Sequence, residues 1–306
     1  MKTVVVENII KTYGKKKEIL ALEDISFDVS KGEIFGIIGP DGAGKTSLFR
    51  ILTTLLLADS GKATVEGLDV VKDYKAIRRT VGYMPGKFSL YQDLTVEENL
   101  NFFATVFSSS LKENYDLVKD IYVQIEPFKD RRAGKLSGGM KQKLALCCAL
   151  IHRPTVLFLD EPTTGVDAVS RKEFWGMLKG LQKQGITILV STPYMDEAGL
   201  CDRIGLIQKG KILSINTPEG IVKEYDKPLL GIRSSEMLGL LNDITSFEQV
   251  EDAYPFGEYY HAVMKKDDEK QNLKIFLQQR SHNDIEVITV QPDIEDCFID
   301  LMKEVQ

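Results

Sequence analysis

Gly39-Pro40-Asp41-Gly42-Ala43-Gly44-Lys45-Thr46 decides the reading of this chain. The stretch has the spacing G-x-x-x-x-G-K-[ST]. Its glycines carry no Cβ, so backbone N–H groups can close around phosphate oxygens. Before it stands Ile34-Phe35-Gly36-Ile37-Ile38, a run suited to a buried strand. After it, residues 45–58 place Leu48, Ile51, Leu52 and Leu55 on one helical face, and Asp59, Ser60 and Gly61 supply a stop. A helix opening here turns the positive end of its dipole toward the loop. Gly39, Pro40, Asp41, Gly42, Ala43, Gly44, Lys45, Thr46 and Ser47 are therefore the candidate nucleotide-phosphate set. Lys45 is expected to reach the β- and γ-phosphates, and Thr46 to ligate Mg²⁺.

Working outward, residues 4–10 and 25–29 read as strands, and 156–159 is a buried strand ending in Asp160-Glu161. Ligands bind at strand ends in α/β sheets. Asp160 is expected to hold Mg²⁺ through water, and Glu161 to orient or deprotonate an attacking water. Residues 186–190 form another strand, preceded by a helix carrying Phe174, Trp175, Leu178 and Leu181. From about 86 to 150 the pattern is helical, with Thr95 and Glu98 spaced as a capping box. Alternating strands and helices predict an α/β fold around a mainly parallel sheet. Past residue 224 the order becomes strand, helix, two strands, helix, strand, helix. The last helix starts at 293 with Ile294, Phe298, Leu301 and Val305 on one face. The expected layout is residues 1–225 as the main domain, with a helical subdomain at about 87–150, and 226–306 as a small α+β domain.

Composition narrows the partners. The 306 residues are 43% hydrophobic and 27% charged, enough for a sizeable core. The net charge of -6 and pI near 5.3 argue against nucleic acid, and Lys15-Lys16-Lys17 reads as a solvated turn. Cys147, Cys148, Cys201 and Cys297 show no metal-ligand spacing, as suits a reducing compartment. No apolar run approaches the roughly 20 residues that span a bilayer, and the first residues lack a signal-peptide block. A membrane role has to go through a partner.

Leu136-Ser137-Gly138-Gly139-Met140-Lys141-Gln142 precedes the apolar run 144–151, and two glycines at a helix start form an anion site. Leu-Ser-Gly-Gly between the phosphate loop and the Asp-Glu strand resembles the signature of ATP-binding cassette proteins, over residues 1–225. Gly165-Val166-Asp167, Tyr194-Met195-Asp196-Glu197-Ala198 and the tail Pro292-Asp293-Ile294-Glu295-Asp296-Cys297-Phe298 are similar to the drug- and polysaccharide-type exporter branch. The resemblance implies an ATPase cassette with ATP and Mg²⁺ as cofactors. It implies a second cassette as dimer partner, and separate transmembrane permease subunits that hold the chain at the cytoplasmic face of the membrane. It also implies that Ser137, Gly138 and Gly139 meet the γ-phosphate held by the partner cassette, that Tyr13 stacks on adenine, and that Asp167 is the D-loop residue along the dimer interface. The permease is expected to dock on residues 86–107.

Two positions depart from that family. It usually has a glutamine where Gly86 follows Gly82-Tyr83-Met84-Pro85, and a histidine where Pro193 follows Ser191-Thr192. Gln92 comes six residues later, and His152, His261 and His282 fall elsewhere. One lost charge-stabilising donor typically costs about 2.7–4 kcal/mol at the transition state, or ~100- to 1000-fold in rate. The alternative expectation is therefore an ATP-gated switch with very slow hydrolysis. A soluble cassette acting on ribosomes or DNA is disfavoured by the single phosphate loop, the lack of a heptad run and the acidic balance.

Overall fold

A computed structural model describes residues 1–86 and 90–303. Its elements begin with β1 (Lys2–Tyr13), β2 (Ile19–Ser30), β3 (Ile34–Ile38), α1 (Lys45–Leu52), β4 (Ser60–Val65), β5 (Leu68–Asp69), α2 (Tyr74–Thr80) and β6 (Val81–Met84). They continue with α3 (Val96–Val106), α4 (Tyr115–Tyr122), α5 (Gly138–Leu150), β7 (Val156–Asp160), α6 (Ala168–Lys183), β8 (Thr187–Thr192), β9 (Arg203–Gln208) and β10 (Lys211–Asn216). The last are α7 (Pro218–Glu224), β11 (Leu229–Arg233), α8 (Leu240–Thr245), β12 (Val250–Phe256), β13 (Tyr259–Met264), α9 (Lys270–Gln279), β14 (Glu286–Thr289) and α10 (Ile294–Lys303). Two expected features lie outside the described residues: the start of the helical region at 87, and Val305 on the last helix. The chain divides into two compact units, Met1–Glu219 with Leu301–Gln306, and Gly220–Asp300.

The first unit is built on a sheet of order β10-β9-β3-β8-β7-β6. All its pairings are parallel except β10 with β9. Every residue of β3, β7 and β8 is buried, as expected of strands covered on both faces. Register then fixes the site. Ile38 pairs with Thr192, and Asp160 with Ser191, so the carboxyl ends of three strands meet at one sheet edge. A second, antiparallel sheet runs β2-β1-β4-β5. The core between these layers includes Ile9, Leu22, Phe35 and Phe49, with the Phe49 ring edge-on to Phe158 at 6.0 Å between centroids.

The helix after the phosphate loop is shorter than its periodicity suggests. α1 ends at Leu52, where a helix to 58 was expected. Two β-branched residues, Thr53 and Thr54, follow it, and such residues extend helices poorly. The Thr53 hydroxyl donates to the Phe49 carbonyl at 2.8 Å, and Thr54 turns left-handed at φ 65°. The N–H groups of Leu55 and Leu56 both return to the Arg50 carbonyl, at 2.7 and 3.0 Å. This satisfies the terminal carbonyls without another turn. Leu55 is accordingly 55% exposed rather than in the core.

The second unit has the order β12-β13-β11-β14, antiparallel throughout. Its chain order, β-α-β-β-α-β followed by α10, is the split βαβ arrangement. Leu230, Ile232, Ala262 and Met264 from the strands pack with Leu240 and Ile244 of α8 and Leu273 and Leu277 of α9. Side chains alternate across a strand, so His261 points away from Ala262 and that core. There it meets Asp296 of α10 at 2.7 Å.

Candidate functional site

The phosphate loop is held open by glycines that nothing else could replace in place. A Cβ on Gly39 would stand 2.1 Å from the Ile207 carbonyl oxygen. One on Gly44, whose φ is 105°, would stand 2.4 Å from the Ala21 carbonyl oxygen. Gly44 is the residue from which α1 starts, so the loop runs directly into the first free N–H groups of a helix. Gly42, Gly44, Lys45, Thr46, Ser47, Ala21 and Glu161 line a cavity of about 180 Å³ at this point.

Lys45 lies at the bottom of that cavity, with a side chain only 2% exposed. Its ammonium donates to the Gly39 carbonyl at 2.8 Å and the Pro40 carbonyl at 2.9 Å, and pairs with Glu161 Oε1 at 3.1 Å. Asp41 stands at 4.0 Å and is largely exposed. Glu161 is positioned by an uncommon backbone conformation, φ 50°, which costs a residue with a Cβ roughly 1–2 kcal/mol. Two bonds from its N–H hold it there, to Ser191 O and Ser191 Oγ, both at 3.0 Å. The same Ser191 hydroxyl donates to Asp160 Oδ1 at 2.6 Å. Asp160 is buried, and its charge, after burial itself, helps push the Tyr83 phenol up to about 12.

Tyr13 is 37% exposed at the end of β1, and its hydroxyl lies 3.0 Å from Ser47 Oγ. Asp59 fixes the backbone leading to it. Its carboxylate accepts from Thr12 N at 2.6 Å, Thr12 Oγ1 at 2.8 Å and Lys11 Nζ at 3.3 Å. These bonds, first that from the Thr12 N–H, lower its pKa to about 2.

Ser137 caps α5, its hydroxyl accepting from Met140 N at 3.3 Å. Gly138 lines a cleft of about 240 Å³ with Glu161, Gly165, Gly86, Gln92 and Gln142. Gly139 lets α5 approach α6, since a Cβ there would stand 2.8 Å from Ser170 Oγ. Asp167 caps α6 through Ser170 N at 2.9 Å. Gly86 lies against the carboxylate pair: a Cβ on it would be 3.0 Å from the Asp160 carbonyl oxygen. His152 is structural. Its ring stacks on Phe107 at 3.9 Å and its Nε2 lies 3.0 Å from the Val81 carbonyl.

The structure thus gathers Lys45, Thr46, Ser47, Asp160 and Glu161 at one strand edge, with Tyr13 joined through Ser47. Gly138 lines the adjoining cleft that Glu161 also lines, beside Gly165, with Ser137 and Gly139 flanking it in sequence. The sequence names Gln92 only as lying six residues past the expected glutamine position, and it gives no sign of the role of Ser191. The Ser191 role depends on β7 and β8 being neighbours in register, which no local pattern announces. Gln92, six residues past Gly86, lines the same cleft as Glu161.

The sequence pattern of the ABC transporter family matches residues 22–164. The Nod factor export ATP-binding protein I of Bradyrhizobium diazoefficiens is 33% identical over 299 residues, 95% of this chain and 93% of that protein. This chain belongs to the ABC transporter family. The cassette is also 38% identical over 292 residues to the probable multidrug ABC transporter ATP-binding protein YbhF of Escherichia coli. That match takes in 92% of the cassette and 49% of YbhF, so the chain spans about half of that relative's length. Among solved structures, the ADP- and phosphate-bound dimer of the cassette MJ0796 matches with a TM-score of 0.63 at 26% identity. The match covers 70% of this chain and 98% of that one. No helix among the described residues is long and apolar enough to cross a membrane.

Proposed function

We propose that this cassette binds and hydrolyses ATP to drive an exporter through a separate transmembrane partner. The observation that carries the reading is the 3.1 Å pair between Lys45 Nζ and Glu161 Oε1, at the mouth of a glycine loop that opens a helix. A cation for phosphate oxygens and a carboxylate for water stand together at the sheet edge. The ammonium has three donors, all occupied, so phosphate oxygens displace at least one present partner. Exchange of Glu161 for phosphate frees Oε1 to orient water and accept its proton. Backbone N–H groups of 42–47 stabilise the negative charge, and Tyr13 offers its exposed ring to the base.

The residues also fit a magnesium ion. Among the described residues no three or more His, Cys, Asp or Glu side chains gather into a metal site of their own. Mg²⁺ usually takes one or two protein ligands and completes its shell with phosphate and water. Thr46 and Asp160 would hold it, and when bound it supplies positive charge to the phosphate oxygens.

The working form we infer is a pair of cassettes, with Ser137, Gly138 and Gly139 of one facing nucleotide on the other and Asp167 along the interface. The MJ0796 dimer and the export names of the relatives support this. For the permease we favour the apolar cavity of about 340 Å³ lined by Leu55, Tyr83, Leu90, Phe103, Val106 and Phe107. Leu55 and Val106 beside it are 55% and 60% exposed. This would place the cassette on the cytoplasmic face of the membrane. We take 226–306 as an accessory domain. Nucleotide titration tests the reading: Lys45→Ala is expected to weaken ATP binding ~100-fold, in line with removing one partner of a buried charged contact. Unchanged affinity would place the nucleotide elsewhere.

A further inference from the structure

Glu197 carries a carboxylate that the mechanism above leaves unused. It lies in the short turn after β8 and is 3% exposed. Burying a charge is costly unless it is well paired. Its Oε2 accepts from Thr192 Oγ1 at 2.6 Å and from Thr163 Oγ1 at 3.1 Å. Its Oε1 makes no hydrogen bond among the described residues and stands 3.8 Å from Arg171 Nη1. Each partner belongs to a segment that carries a candidate site residue. Thr163 is two residues beyond Glu161. Thr192 follows Ser191, which holds both Asp160 Oδ1 and the Glu161 N–H. Arg171 is one helical turn beyond Asp167, and its N–H bonds the Asp167 carbonyl at 2.9 Å.

We propose that Glu197 is a positioning residue for ATP hydrolysis, fixing Glu161 from both sides through Thr163 and the Ser191-Thr192 pair. It acts through the two threonines that its carboxylate binds. Glu161 keeps a left-handed backbone only because its surroundings impose it, and Glu197 ties those surroundings together. Misplacement of a reacting group by about 1 Å costs ~100-fold in rate. The proposal rests on the reading of Glu161 as the residue that activates water.

The test uses the full chain, with Glu197→Gln, the double variant Thr163→Val/Thr192→Val, the triple combination and Glu161→Gln. Each keeps the side-chain outline, but the valine pair strips both donors from a buried carboxylate, so the thermal midpoint reports folding and the triple variant, which also removes the charge, controls for that cost. Turnover, nucleotide affinity and thermal midpoint are measured for each. Glu197→Gln and the double valine variant are each expected to lose ~10- to 100-fold in kcat, with ATP affinity within about twofold of wild type. The triple variant is expected to lose little more than the double, because both changes cut one link. Wild-type kcat in both isosteric variants would overturn the proposal. So would a loss of kcat that only tracks a loss of folded protein or of ATP affinity. If Glu161→Gln turns over normally, or the wild type does not turn over at all, the reading beneath fails and takes this one with it. An inactive Glu161→Gln beside active Glu197 variants removes this proposal alone.

Discussion

The Lys45 ammonium is shared among two loop carbonyls and the Glu161 carboxylate, so on the proposed function the glutamate would compete with phosphate for the same charge. Glu161→Gln removes that competitor and keeps its shape. We expect nucleotide affinity to rise a few-fold, or ~1 kcal/mol, measured by titration of both proteins. Asp59 acts at the same scale, by steadying Thr12 beside Tyr13. Its folded pKa, about 2, is depressed from the ordinary 3.8, so its stabilisation is complete above the unfolded value and fades as pH falls through the folded one. Wild type should exceed Asp59→Asn in denaturant midpoint at pH 7, by a margin that narrows below about pH 4. A margin independent of pH would contradict this. The glycine-rich loop between strand and helix and the strand ending in Asp160-Glu161 were legible as structure because each is a contiguous pattern. Ser191, Glu197 and Asp59 were not, because their roles exist only across strands that are distant in sequence.

At the level of elements, local chemistry decides where helices begin and end. α3 opens on a capping box read directly from Thr95 and Glu98. Thr95 Oγ1 accepts from Glu98 N at 3.1 Å, and Glu98 Oε2 accepts from Thr95 N at 2.8 Å. Thr95→Ala is expected to cost about 1 kcal/mol. For a unit of this size that lowers the thermal midpoint by roughly 2–4 °C, readable by calorimetry. ATP affinity should be unchanged, since α3 supplies nothing to the phosphate loop. α1 shows the opposite case. Its apolar spacing continues past Leu52, but Thr53 and Thr54 end it, and Leu55 turns outward. Periodicity reported a possible face, and capping by backbone and hydroxyl groups overrode it.

At the largest scale, the second unit carries a core and a buried charged contact of its own. In the second unit, Asp296 is 1% exposed and accepts from Tyr254 OH at 2.9 Å while facing His261 Nδ1 at 2.7 Å. Burial opposes its ionisation, but the bonds from His261, the Asp293 N–H and Tyr254 keep its pKa below the usual range. His261→Ala leaves a buried carboxylate short of a partner, at a cost of about 3–5 kcal/mol. We expect it to weaken the second unit and spare nucleotide binding, followed by calorimetry beside an ATP titration. We also propose that the accessory domain supports pairing of cassettes. Deleting residues 227–306 without change in dimerisation or turnover would remove that role. The strand and helix order of this domain was readable because turns and apolar runs alternate cleanly after residue 224. Its sheet order was not, since β11 lies between β13 and β14, far apart in sequence.

The most direct test of the account is steady-state Mg²⁺-ATP turnover of the wild type beside Glu161→Gln. Measurable turnover is expected in the wild type despite Gly86 and Pro193, and at least ~100-fold less in the variant. ATP binding by both proteins with no turnover in either, even with the membrane partner present, would contradict it and leave the cassette an ATP-gated switch.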